Sequence, residues 1–196
     1  MSTRGLYGIR KNGVDKLTYN HWDSYPSSFG NDIIVFIKDN GYTKLSKMFD
    51  LIELVGDKEP TFEQIDNCLR ANIVDISVAE RTVGDWYCLT RKLQGNFPMY
   101  SQLTKDSQPI YMLKDNAFIK DSLFCEYAYI INLDDETLEF YIGFQKEPDE
   151  NNRYGTECDD NGYYPCKLVR AFGFDEIASR STRDIVNEME EVAKNG

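Results

Sequence analysis

The chain reads as an α+β fold, an antiparallel sheet of about five strands with helices inserted between its two halves. Three observations lead there. Leu6–Arg10 and Lys16–Trp22 are rich in strand formers and flank Asn12-Gly13, a pair that tolerates positive φ at both positions of a tight turn. Leu123, Cys125, Tyr127, Tyr129, Ile131 and Leu133 alternate with other residues; after Asp134-Asp135-Glu136 the alternation resumes at Leu138, Phe140, Ile142 and Phe144. Between the two hairpins, over about residues 28–95, apolar residues recur at helical spacing. An isolated hairpin is marginal in water, so the opening strands need the later ones as partners. That requirement favours one domain spanning residues 1–196, although a boundary near residue 120 is conceivable from pattern alone.

Each element has its own signal. Side chains alternate along a strand, so Leu17, Tyr19, His21 and Asp23 are expected on one face, Asn20 and Trp22 on the other. Pro26 ends the strand, and Phe29, Ile33, Phe36 and Ile37 start a helix that Asn40-Gly41 stops. A second helix carries Leu45, Met48, Phe49, Ile52 and Val55 up to Gly56. Thr61-Phe62-Glu63-Gln64 and Ser77-Val78-Ala79-Glu80 both match a capping box. The helix after the first is expected to bury Phe62, Ile65 and Leu69; the helix after the second should carry Val78, Thr82/Val83, Trp86, Leu89 and Leu93 and stop at Gly95. Residues 96–121 are weakly patterned apart from Ile110-Tyr111-Met112-Leu113. The long hairpin occupies about 122–145 with one apolar face. Tyr163 to Phe174 predicts one more strand, and Ser181-Thr182-Arg183-Asp184 caps a last helix with Ile185, Met189 and Val192.

Composition narrows the function classes. Of 196 residues, 41% are hydrophobic and 13% aromatic, which argues against disorder. The net charge of −11 removes the global attraction to phosphates on which basic nucleic-acid binders rely, while leaving room for a local basic patch. Charge is uneven. Residues 1–50 carry seven Lys/Arg and five Asp/Glu, whereas Asp134 to Asp160 hold ten acidic and two basic residues. Such a run is either a solvated surface or a surface that competes with nucleic acid for a basic groove, and both readings put the opening hairpin outside it. No apolar run approaches the ~20 residues that cross a bilayer, and Met1-Ser2-Thr3-Arg4-Gly5 lacks a signal-peptide core. Five cysteines without Cys-x-x-Cys spacing fit a reduced compartment. No membrane partner, metal or cofactor is expected.

Tyr19-Asn20-His21-Trp22-Asp23-Ser24-Tyr25-Pro26 concentrates the polar chemistry, including the only histidine. If His21 and Asp23 share a strand face, the carboxylate orients the imidazole, the start of general acid–base catalysis in a small hydrolase or transferase. No Gly-x-Ser-x-Gly elbow surrounds Ser24, Ser27 or Ser28, and no phosphate-cradling glycine loop occurs. Removal of Met1 would leave Ser2 with an amine beside its hydroxyl, the arrangement of an N-terminal nucleophile. The competing constellation is Arg4, Tyr7, Arg10, Lys11, Lys16, Tyr19 and Trp22, cations interleaved with rings that can contact phosphates and stack on bases or anchor a protein partner. The blander alternative has the rings in the core and the cations in water.

Thr3-Arg4-Gly5-Leu6-Tyr7-Gly8, the His21-Trp22-Asp23-Ser24-Tyr25-Pro26 motif and Gly30 resemble the opening of small bacteriophage and prophage proteins that carry an Arg-Gly or Arg-Ala start and a His-Trp-Asp-Gly-Tyr-Pro motif. The resemblance covers about 40 residues, and Ser24 stands where glycine is usual. It implies a viral accessory role and transfers no catalytic residue. The expectation is a non-enzymatic protein of the host cytoplasm that binds and inhibits a host protein or ribonucleoprotein complex. Such a protein is an anti-defence, anti-CRISPR-like factor. The expected binding residues are Arg4, Tyr7, Arg10, Lys11, Asn20, His21, Trp22, Asp23 and Tyr25, with nucleic acid as a candidate contact.

Overall fold

The computed structural model describes residues 3–79 and 81–195. Ser2 and Glu80, the closing residue of the second capping box, lie outside them. The architecture is α+β. Strands β1 (Gly5–Lys11) and β2 (Val14–Asn20) form the opening hairpin, with Asn12 and Gly13 at φ 53° and 75° in its turn. A five-stranded sheet runs in the order β2-β1-β5-β6-β7, where β5 is Tyr127–Asn132, β6 Thr137–Ile142 and β7 Lys167–Gly173.

The sheet is not wholly antiparallel, which corrects the sequence expectation. β1 runs parallel to β5, with Gly5 opposite Tyr127 and Ile9 opposite Ile131. A parallel pair needs a long crossover, and the helical segment between β2 and β5 supplies it. The remaining pairs are antiparallel.

The crossover holds a π-helical turn (Pro26–Gly30) and α1 (Asn31–Leu51), which Gly41 interrupts at φ 63°, ψ 175°, as the Asn40-Gly41 stop predicts. The second half of α1 ends at Leu51. Ile52–Val55 is strand β3, not the last helical turn, because it pairs in parallel with β4 (Ile110–Leu113), a partner 58 residues away in register. β-Branched ends and a distant strand outweigh the local helical spacing.

The first capping box forms: Thr61 and Gln64 bond reciprocally at the start of α2 (Phe62–Arg70). Its buried residue is Cys68, however. Of the expected core stripe, Ile65 packs partly buried against the larger core, while Phe62 at 93% and Leu69 at 52% exposed face outward. The second box does not start a helix. Asp75 takes the Ser77 hydroxyl at 2.6 Å, and Ala79 and Arg81 adopt φ 45° and 58°, which no helix accommodates. Helix appears only as α3 (Trp86–Leu89), capped by Asp85, followed by a 3₁₀ turn, Arg91–Leu93. Next comes α4 (Phe97–Lys105), and after β7 come α5 (Phe174–Ser179) and α6 (Thr182–Asn195), whose first turn Ser181 caps through the Asp184 N–H at 3.1 Å.

The long hairpin buries both faces, not one. On the helix side Tyr7, Ile9, Tyr129, Ile131, Leu138, Phe140 and Phe172 join residues of α1, α4, α5 and α6 in the larger core. On the other side Leu6, Leu17, Ala128, Ile130 and Tyr141 are covered by Ile119, Cys125 and Cys166 from the loops. None of the helices among the described residues is long and apolar enough to cross a membrane.

Candidate binding surface

The alternation that builds the sheet divides the expected patch between its two faces. Tyr7, Lys11 and Lys16 point to the helix side. Tyr7 is buried; its hydroxyl accepts the Gly95 N–H at 2.8 Å and lies 3.2 Å from the Tyr100 hydroxyl. Burial pushes both phenols above their ordinary pKa, so both stay protonated. Lys11 holds Asp50 at 2.7 Å, and Lys16 donates to the carbonyls of Phe49 and Ile52. Arg10 is on the loop side and bonds Asp15 at 3.0 Å.

Strand length divides the patch a second time. Seven residues at about 3.3 Å per residue set the Asn12-Gly13 turn roughly 20 Å from the Gly5/Asn20 end. The turn end is occupied by acid. Asp134 takes the N–H groups of Asn12 and Gly13 at 2.6 and 2.8 Å and lies 3.8 Å from Arg10. Those contacts hold its carboxyl below the ordinary value. Contrary to expectation, the acidic segment and the hairpin are therefore joined. Farther along it, Glu139 is buried and grips Arg153 through two bonds, with Asn132 and Tyr141 completing the cage. Tyr154 reaches back to Asp15 at 3.2 Å.

The Gly5/Asn20 end is built differently. Asn20 is buried, and its amide donates to the Trp22 carbonyl at 2.7 Å and the Ser24 hydroxyl at 2.8 Å. Ser24 is buried too: its N–H bonds Thr3 and its carbonyl accepts the Tyr129 hydroxyl at 2.9 Å. A Cβ on Gly5 would sit 2.6 Å from the Tyr127 carbonyl and 2.7 Å from Ser24, so only glycine lets the turn lie this close. The left-handed residue is Asp23, at φ 51°, not Ser24. Position 24 therefore has no need of glycine's freedom. Strand β2 ends at Asn20, so the alternation that would align Asp23 with His21 stops before either residue.

Held this way, the turn turns its rings outward. Trp22 is 55% and Tyr25 38% exposed. His21 meets Trp22 edge to face at 4.3 Å, and its Nδ1 lies 2.8 Å from the Tyr19 hydroxyl. Burial, then Arg91 and Arg4, push the imidazole below its ordinary 6.5, so it is neutral at pH 7. Burial raises the Tyr19 phenol, which keeps its proton and shares a hydrogen bond with Nδ1. Tyr19 packs on Phe118 at 5.2 Å, and Arg4 stacks over Phe124 at 4.5 Å. Gln94 donates to the Tyr19 carbonyl and accepts from Arg91, which also lies 5.6 Å from the Tyr87 ring.

Of the expected binding residues, the structure gathers Arg4, His21, Trp22, Asp23 and Tyr25 at this end with Asn20 beneath them. Tyr7, Arg10 and Lys11 lie elsewhere. Tyr87, Arg91, Phe118 and Phe124 complete the surface and carry no local pattern that singles them out. Only their later return to the end of β2 gives them a role. Among the described residues no group of three or more His, Cys, Asp or Glu is placed to hold a metal ion. Comparison with protein-family models, with curated proteins and with solved structures finds no match.

Proposed function

We propose that the chain is a non-enzymatic, phage-type accessory protein that binds and inhibits a host macromolecular complex through the surface around Trp22. The single observation behind this reading is a hydrogen-bonded turn that exposes Trp22 and Tyr25, with Arg4 and Arg91 acting on the Tyr19–His21 pair that adjoins it. Aromatic and arginine side chains held by a stiff scaffold are what binding hot spots are made of. The reading treats the chain as one domain, since its larger apolar cluster draws residues from Tyr7 to Met189, and it places the protein in the host cytoplasm. The likeness of its opening to phage and prophage proteins directs the choice of target to host defence machinery, an RNA-guided nuclease being the natural example.

The test compares capture from host lysate by the full chain and by its Trp22→Ala and Arg4→Ala variants. A defined complex should be retained by the parent and lost with either variant. A monodisperse protein without partner or nucleic acid, or retention equal in all three, overturns the proposal.

A further inference from the structure

We propose that the surface at the Gly5/Asn20 end takes single-stranded nucleic acid, one base laid against Trp22 and the adjoining phosphates held by Arg4 and Arg91. This rests on the binding reading above and names the chemistry of its ligand.

The guanidinium groups carry the argument. The chain holds 33 Asp and Glu, and Arg10, Arg153, Arg170 and Arg180 each hold a carboxylate. Arg4 and Arg91 make no ion pair among the described residues, although both act electrostatically on the same Tyr19–His21 pair. Asp121 acts on Arg4 and Asp75 on Arg91 across space, neither at salt-bridge distance, so two like charges remain near one spot and an anion bound between them is attracted by both. Both side chains are already oriented, Arg4 by Phe124 and Arg91 by Gln94 and Tyr87. Little rotamer freedom is left to lose when a ligand arrives. Glu126 also contacts Arg4, but its carboxylate accepts the backbone N–H at 3.1 Å, on the main chain and not the guanidinium. Neutral His21 adds no charge of either sign at pH 7.

The rings decide between kinds of anion. An acidic peptide would satisfy the two arginines but leave Trp22 and Tyr25 as bare apolar surface. A single strand supplies a flat face and a phosphate at every nucleotide, and stacking on aromatic side chains is tolerant of base identity. The global charge of −11 does not forbid this. At physiological salt, charges beyond about 8 Å are largely screened, and the two arginines act inside that distance of the strand they hold.

Fluorescence anisotropy of labelled dodeca-uridylate with the full chain at pH 7 and low salt tests the proposal. Binding should be saturable. Two phosphate contacts give log K against log salt a slope of about −1.4. Trp22→Ala should weaken binding about tenfold, and the Arg4→Ala/Arg91→Ala double variant should remove most of the salt dependence. Both variants alter surface side chains, and a thermal melt verifies their fold. No binding at low salt overturns the proposal, as does binding that these variants leave unchanged. Equal binding of an oligo-glutamate with the same variant dependence also overturns it, since the surface would then read charge alone. If uridylate fails while host capture still needs Trp22 and Arg4, the ligand assignment is wrong and the binding reading survives. If capture ignores those residues, the binding reading fails as well.

Discussion

The two ends of the opening hairpin carry the same kinds of side chain and use them in opposite ways. At the Asn12-Gly13 turn every cation has been claimed. Asp15, Asp50 and Asp134 arrive from the hairpin itself, α1 and the β5–β6 turn, respectively, and the Glu139–Arg153 pair anchors the loop beyond. At the Gly5/Asn20 end, Arg4 and Arg91 meet rings and an amide instead of carboxylates. A cation is structural or available according to what the distant chain delivers beside it. The interleaving of Lys, Arg and Tyr along the hairpin does not distinguish the two outcomes.

The sharpest way to break the contrast is to unpair the occupied end. Arg153→Ala leaves the Glu139 carboxylate buried with its charge partner gone and should cost about 3 kcal/mol, read by urea or thermal unfolding. Burial pushes the Glu139 carboxyl up, but Arg153, Asn132 and Tyr141 outweigh it and hold the carboxyl below its ordinary 4.5. A lowered carboxyl pKa contributes stability that is present above that ordinary value and lost as pH falls through the folded value. The gap between parent and Arg153→Ala should therefore narrow in acid. A gap independent of pH would mean that Arg153 acts through packing alone.

Gly5→Ala probes the open end at its support. The new Cβ meets the Tyr127 carbonyl and Ser24 at distances that real contacts do not reach. Destabilisation of about 1–3 kcal/mol should follow, together with weaker ligand binding as the Trp22 turn moves. Full stability would show that the turn yields freely and that its rigidity is not what presents the rings.

Smaller effects sharpen the comparison. Lys11→Ala removes an exposed pair to Asp50 and should change stability by less than about 1 kcal/mol, with salt masking most of it. Trp22→Ala should leave the unfolding midpoint almost unchanged, within about 0.5 kcal/mol, while impairing binding. A large loss of stability from Trp22→Ala would reassign Trp22 from ligand contact to core.

Legibility varied with the range of the interaction. The hairpin turn, the Gly41 break, the Thr61 capping box and the alternation through Tyr127–Ile142 depend on neighbours within a few residues, and each is present in the structure. The helix expected from Val78 to Leu93 is not, because Asp75 takes the Ser77 hydroxyl and residues 79 and 81 turn left-handed. Ile52–Val55 continues the helical stripe in sequence but is strand in the structure, since Ile110–Leu113 lies beside it. In the candidate surface, His21, Trp22 and Tyr25 stood out by composition. Tyr87, Arg91, Phe118 and Phe124 did not, and Arg10 and Lys11, which stood out with them, are salt-bridged to Asp15 and Asp50 at the other end of the hairpin.

By itself the amino-acid order determined the elements whose signals are local: turns that need positive φ, caps that need a nearby hydroxyl, and strands that alternate. Only the tertiary structure decided that β1 lies parallel to β5, that both faces of the sheet are buried, and which arginines enter a salt bridge. The reason is electrostatic and geometric together. A guanidinium is neutralised by whichever carboxylate reaches within about 4 Å of it, and residues more than a hundred positions apart meet only when the sheet has closed.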